Sequence, residues 1–357
     1  MTATTQAPET IAVREGLRLD RGRLETWLLA HLAEYAGPLS IEQFSGGQSN
    51  PTYKLITPKK TYILRRKPPG RLLQGAHAIE REARVVQALR TVGFPVAHVY
   101  GVCADDQVIG TPFYVQEYVA GRIFWDASLP GTSREHRARC FDAMNAALAQ
   151  LHQVDYRAVG LADYGRTGNY FERQIARWSR QYETDARDAG REPHMEHLIE
   201  WLPAHIPPGD ETSIVHGDYR IDNIIFHPDE PRVLAVLDWE LSTLGHPLGD
   251  FAYHLMMYRV PPRIVAGLAG ADLAKLQIPP EDEYVEAYCR RTGRQGIAHL
   301  DFYMAFNMFR LAAIFHGIKG RLARGTAASA HAQEYARGVG WMAELGWHQA
   351  RQSIRET

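Results

Sequence analysis

The stretch Ser213-Ile214-Val215-His216-Gly217-Asp218-Tyr219-Arg220-Ile221-Asp222-Asn223-Ile224-Ile225-Phe226, followed by Val233-Leu234-Ala235-Val236-Leu237-Asp238-Trp239-Glu240, decides how this chain is read. Three short apolar runs suit buried strands, and polar residues separate them. The first run ends at His216, the loop after it presents Asp218 and Asn223, and the last run delivers Asp238 at its end. Side chains at the mouths of buried strands are held rigidly. Asp218, Asn223 and Asp238 supply oxygen atoms, the donors that Mg²⁺ prefers when it keeps some waters and shares phosphate oxygens. Taken singly, Asp218 and Asn223 would be turn residues and Asp238 a helix cap. As an ordered set they point to chemistry.

Working outward toward the N-terminus, residues 1–19 show no clear apolar period and are expected to form a flexible tail. Asp20 is a candidate N-cap for a helix whose stripe is Leu24, Leu28, Leu32 and Tyr35, ended by Gly37 and Pro38. The turn Ser45-Gly46-Gly47-Gln48-Ser49-Asn50-Pro51 leads into strand-like Thr52–Ile56, and Thr61–Arg65 follows as its antiparallel partner. Residues 77–91 read as a helix with the stripe Ile79, Ala83, Val86 and Leu89, and Glu82 sits on that stripe. A carboxylate facing a core needs a cation or a hydrogen-bond donor. Phe113–Val119 reads as a further strand, and beyond it the chain turns helical. Helices are expected near 133–153, 168–188, 248–258, 281–291, 299–319 and 327–354. The division expected is therefore a tail at 1–19, an N-terminal lobe at 20–118 and a C-terminal lobe at 119–357.

The 357 residues carry 40 Lys plus Arg against 41 Asp plus Glu, a formal charge of −1 that argues against a nucleic-acid partner. Three cysteines without a CxxC spacing indicate neither a zinc cluster nor a disulfide framework. No basic and apolar leader opens the chain and no run of roughly 18 apolar residues occurs, so no membrane partner and a cytoplasmic location are expected.

His216-x-Asp218-x-x-x-x-Asn223, with Asp238 15 residues after the Asn, resembles the catalytic and metal motifs of protein-kinase-like phosphotransferases. The HGD form and Leu237-Asp238-Trp239-Glu240 are similar to the aminoglycoside phosphotransferase (APH) and choline kinase branch. Within it, Leu64-Arg65-Arg66-Lys67-Pro68-Pro69-Gly70 and Phe113–Tyr118 look most like the phosphotransferase domain that some animal proteins carry fused to an acyl-CoA dehydrogenase. The resemblance implies an α+β, two-lobed kinase-like fold, with a small antiparallel sheet bearing one key helix and a larger helical lobe.

It also implies roles. Asp218 would accept or orient the proton of a substrate hydroxyl, His216 would brace the loop, and Asn223 and Asp238 would hold Mg²⁺ against the phosphates of ATP. Arg65 stands where protein kinases place a strand lysine, and Glu82 is its expected ion-pair partner; Arg in place of Lys is a departure from protein kinases. Gly46, Gly47, Ser49 and Asn50 would bring backbone N–H groups to phosphate oxygens, and Glu117 and Val119 would meet the adenine edge. Trp239-Glu240 in place of Phe-Gly, with no Ala-Pro-Glu downstream, argues against protein substrates.

The acceptor must be sought in the C-terminal helices. Arg310, Lys319, Arg321 and Arg324 face one acid, Asp301, within 301–325, and Arg259, Arg263 and Lys275 face Asp272 within 251–279. A polycationic aminoglycoside prefers a carboxylate-lined cleft, so this excess favours a hydroxy acid or a hydroxyacyl-CoA over an aminoglycoside or choline-type acceptor. The expectation is a Mg²⁺- and ATP-dependent kinase of a small hydroxylated metabolite. An inactive nucleotide-binding module is the other class, against which Asp218, Asn223 and Asp238 argue. No GxGxxG after a strand and no flavin motif occur, so no dehydrogenase activity is expected.

Overall fold

The structure, a computed structural model, describes residues 9–45, 50–69, 78–262, 265–326 and 332–355. Short strands with buried alternate residues, such as Tyr53 and Leu55, assemble into a six-stranded sheet. The strands are β1 (Thr10–Ile11), β2 (Ser40–Phe44), β3 (Thr52–Ile56), β4 (Thr61–Arg66), β5 (Val99–Cys103) and β6 (Phe113–Glu117), in the order β1-β2-β3-β4-β6-β5. All neighbouring pairs are antiparallel, and Arg65 in β4 faces Tyr114 in β6.

Two expectations near the N-terminus change. Part of the expected tail is structured: β1 pairs with β2, Thr10 Oγ1 donates to Glu42 at 2.7 Å, and Leu17 O accepts from Tyr53 Oη at 2.7 Å. Backbone pairing and single polar contacts hold it, and neither leaves an apolar period to read. Helix α1 (Arg21–His31) is capped by Asp20, whose side chain accepts from Arg23 N at 3.0 Å, but it stops well before Gly37. Leu32 leaves helical geometry, and Leu32 and Tyr35 reach the core from the turn that follows. Helix α2 (Ile79–Arg90) buries Ile79, Ala83, Val86 and Leu89 as its stripe requires, and Glu82 with them.

The rest is mainly helical: α3 (Arg134–Gln153), α4 (Tyr170–Ala189), α5 (Pro193–Ala204), α6 (Pro247–Leu255), α7 (Leu273–Leu276), α8 (Glu281–Thr292), α9 (Leu300–Ala323) and α10 (Ala332–Arg355). Helix α9 is buried on nearly all sides over most of its length, and its buried Tyr303, Phe306, Phe309 and Phe315 place it at the centre of the helical region. Two small antiparallel ladders pack against α3 and α6: β7 (Ser213–Val215) with β10 (Thr243–Gly245), and β8 (Ile224–Phe226) with β9 (Val233–Val236), β7 touching both helices and β9 touching α3. The architecture is α+β: an antiparallel sheet with α2 against it, followed by a mainly helical region.

The chain passes from sheet to helices at Gly121-Arg122, and there it is stitched to β8. Arg122 N donates to Phe226 O and Phe226 N to Arg122 O, both at 2.8 Å. A Cβ at Gly121 would collide with Ile225 and the Phe226 carbonyl, so only glycine allows so close a crossing. One hydrophobic cluster extends from Leu24 through the sheet to α9 and Ala350, so both regions share a core.

Candidate active site

Strand β7 leads into His216, whose ring is locked from both nitrogens. Its Nδ1 accepts from the Asp218 backbone N–H at 3.1 Å, which places the proton on Nε2 for donation to Leu237 O at 2.8 Å. One imidazole thereby joins the loop of Asp218 to the strand end of Asp238. Beneath it, the buried Asp250 carboxylate accepts the backbone N–H groups of His216 at 2.7 Å and Gly217 at 2.8 Å, and His152 Nε2 lies 3.2 Å away. Burial opposes the charge on Asp250, but the His152 hydrogen bond and these donors hold its pKa below the usual carboxylate range. Asp250, on the first turn of α6, therefore supports the loop.

Asp218 is engaged on both oxygens. Its Oδ1 accepts from Tyr253 Oη at 2.5 Å and lies 3.2 Å from Arg220 Nε, and its Oδ2 accepts from Asn223 Nδ2 at 3.1 Å. The same Nδ2 donates to Asp218 O at 2.9 Å, so both of these bonds use the amide nitrogen and leave the Asn223 oxygen available as a donor atom to a cation. Arg220 Nη2 reaches Asp222 Oδ2 at 2.9 Å. Among the described residues, Asp222 Oδ1 is buried without a hydrogen-bond partner. Burial pushes the pKa of Asp222 up against the pull of Arg220.

Across the cleft, Arg65 spans two carboxylates: its Nε is 3.2 Å from Glu82 Oε1 and its Nη2 3.0 Å from Asp238 Oδ1. Glu82 is 2% exposed, and burial raises its pKa while Arg65 opposes the rise. Burial also works against the charge of Arg65, but Glu82, Tyr114 and Asp238 outweigh it and raise its pKa. Asp238 has φ +65°, a left-handed conformation rare outside glycine, held here by the surrounding ladder and the Arg65 bond. The cleft has a volume of about 460 Å³. Ile63, Val86, Ala97, Ile123 and Ile225 form apolar walls, and Arg65, Asp222 and Asp238 make one end polar.

The expected site residues thus divide. Arg65, Glu82, Glu117, Val119 and Asp238 line one cleft. His216, Asp218 and Asn223 form the loop at its polar end. Asn50 donates to Glu240 Oε2 at 3.3 Å, tying its turn to the segment after Asp238. Gly46, Gly47 and Ser49 lie outside the described residues. The Glu117 N–H is committed to His98 O at 2.8 Å, so an adenine edge read there would use other groups of residues 117–119.

Sequence reasoning missed Arg220, Asp222 and Tyr253. The first two lie inside the motif that was read, and Asp250, Tyr253 and His254 share the i, i+3, i+4 spacing of one face of α6. Of the basic residues counted toward an anionic acceptor, Arg259 is paired with Glu281 and Asp301, and Arg324 with Asp185 and Asp188. Arg310 differs: it is 7% exposed, donates to Gly217 O at 2.6 Å and has no salt bridge among the described residues.

The oxygen donors of Asn223 and Asp238 suit a hard cation that also takes phosphate oxygens. Among the described residues no group of three His, Cys, Asp or Glu gathers to hold a metal. Nor is any helix there long and apolar enough to cross a membrane.

Comparison with known proteins gives this geometry a relationship. Acyl-CoA dehydrogenase family member 10 of Mus musculus is 45% identical over 343 residues, covering 95% of this chain and 32% of its own length. Family member 11 of Gallus gallus is 44% identical, with 95% and 44% covered. The chain therefore spans less than half of these relatives. A solved structure from Ralstonia eutropha, carrying a provisional aminoglycoside phosphotransferase name, is 52% identical with a TM-score of 0.86, covering 94% of this chain and 99% of that one. Choline kinase of Cryptosporidium parvum, at 9% identity and a TM-score of 0.65 over 94% of this chain and 96% of that one, shares the fold. The pattern of the phosphotransferase enzyme (APH) family matches residues 40–306, about three quarters of the chain, and the chain belongs to that family.

Proposed function

We propose that this protein uses Mg²⁺ and ATP to phosphorylate a hydroxyl group of a small anionic metabolite, a hydroxy acid or a hydroxyacyl-CoA. The lobes are taken to divide near residues 118–119, with ATP between them. The apolar walls suit the adenine, and the polar end suits the phosphates. Asp218 takes the proton of the acceptor hydroxyl as its oxygen bonds to the γ-phosphorus. The bond to the β-phosphate oxygen breaks, and ADP leaves with the electron pair. Arg65, positioned by Glu82, meets the phosphates, and His216 keeps Asp218 in register with Asp238. Asn223 and Asp238 would hold the metal, which neutralises phosphate charge when bound.

The observation that carries the anionic acceptor is Arg310, a nearly buried guanidinium without a carboxylate partner among the described residues, one residue from Asp218 through its bond to Gly217 O. Its Cζ lies 6.0 Å from the Trp178 ring, and the buried Trp178 Nε1 also lacks a partner among the described residues. A buried indole N–H left unpaired is costly unless a ligand oxygen satisfies it, and a nearly buried guanidinium whose bond is to a neutral carbonyl favours an anion beside it. Nothing in this reading assigns the chain a dehydrogenase activity, since its relatives' names belong to proteins more than twice its length.

The test is a panel of hydroxy acids, hydroxyacyl-CoAs, aminoglycosides and choline, read by ATP consumption and a phosphoryl mass gain. Hydroxy acids or their thioesters should be phosphorylated, and Asp218→Ala should lower turnover by roughly a hundredfold or more with ATP binding kept. Transfer to aminoglycosides or choline alone would overturn the anionic reading. No transfer and no Mg-dependent thermal shift with ATP would overturn the kinase reading.

A further inference from the structure

Tyr253 is used by neither the sheet nor the motif, yet its hydroxyl makes a short contact with the residue expected to be the base, 2.5 Å from Asp218 Oδ1. The phenol is buried on α6, and the Arg310 guanidinium lies 5.1 Å from its ring centroid while bonding the loop at Gly217 O. Helix and loop thus hold the ring from two sides. Burial first, and then the charge of Asp218, raise the phenol pKa, so at neutral pH Tyr253 donates a proton in this bond and does not accept one. With Arg220 near Oδ1 and Asn223 on Oδ2, the carboxylate is engaged on both oxygens. The bond from Tyr253 comes from a neutral hydroxyl, the chemical group an alcohol acceptor would present.

Resting on the kinase reading above, we propose that Tyr253 gates the base: its hydroxyl fills the position an acceptor hydroxyl must take and denies it to water. Without the gate, Asp218 would take a proton from water, the water oxygen would bond to the γ-phosphorus, the bond to the β-phosphate oxygen would break, and ADP and phosphate would leave. A phosphotransferase in an aqueous cell must suppress this side reaction. An acceptor that brings further contacts, such as an anion to Arg310, displaces the phenol where a lone water does not. Tyr253 is therefore a positioning residue that acts through Asp218.

The full chain tests this without knowledge of the acceptor. ADP release from Mg-ATP with no acceptor present is compared among wild type, Tyr253→Phe and Tyr253→Met. Both variants should release ADP at least roughly tenfold faster than wild type while keeping the ATP-dependent thermal shift. Adding Asp218→Ala should return the rate to the wild-type level. A merely structural role would not give a rise that Asp218 controls. Release no faster than wild type in variants that still bind ATP overturns the gate, and so does a rise that survives Asp218→Ala. Failure of wild type to bind Mg-ATP would strike the kinase reading instead, so the two failures are distinct.

Discussion

At the scale of the residue, Arg65 shows what a guanidinium adds over the ammonium of protein kinases. It reaches Glu82 with Nε and Asp238 with Nη2, two directions that one ammonium on a flexible stem does not fix. Arg65→Lys should therefore keep the fold but raise the KM for ATP, by roughly tenfold if one charge-assisted hydrogen bond is lost, with the acceptor KM unchanged. Arg65→Ala should also lower thermal stability, because Glu82 would be left buried without its counter-charge and with only hydrogen bonds from Tyr114 and the Trp239 backbone, at a cost of up to about 3–5 kcal/mol. Steady-state kinetics and a melting curve separate the two effects. The pairing with Glu82 was legible because a carboxylate on an apolar stripe demands a partner. The pairing with Asp238 was not, because 173 residues separate the two and no local pattern encodes their meeting.

At the scale of the element, the loop that carries Asp218 is shaped more by what it packs against than by its own propensities. Gly217 has φ +81°, and a Cβ there would lie 2.7 Å from Leu241 O. Gly217→Ala should destabilise by roughly 1–2 kcal/mol from the left-handed backbone alone, with the collision added. It should cut kcat more than the KM for ATP, because Asp218 would move; urea unfolding and kinetics would show both. Helices α2, α3, α4, α8 and α9 were legible within a few residues of their ends, α2 and α4 from a one-sided apolar stripe and α9 from its long apolar run. Helix α5 was missed because its only buried residues are Met195, Leu198, Trp201 and Leu202, and Pro203 lies inside it. Strand β1 was missed because it is two residues long at a sheet edge, and the end of α1 because a buried leucine serves a helix and a turn equally well.

At the scale of the molecule, burial of ionisable side chains links stability to pH. Desolvation lowers His246 and His254 to about 4, while an unfolded histidine titrates near 6.5. Both groups are neutral in the folded protein and bind protons more readily once unfolded, so stability is complete above about pH 6.5 and falls as pH drops toward 4. Each contributes on the order of 3 kcal/mol across that window. Asp250, with its pKa depressed, adds a further loss only below the ordinary carboxylate range. Urea midpoints measured from pH 7.5 to 4.5 should hold level down to about pH 6.5 and then fall, and His254→Gln should flatten that fall; a wild-type profile flat to pH 4.5 would contradict this.

The stitch between Arg122 and Phe226 ties the connector between sheet and helices to the wall of the cleft. The connector is hydrogen-bonded to β8, whose Ile225 forms part of the cleft wall, so a rotation of the sheet about this point turns on the back wall of the site itself. Such a jaw opens widest at the lip and hardly at all at its root. The root of the cleft, beside the loop of Asp218, is thus the part whose spacing a rotation of the sheet would change least.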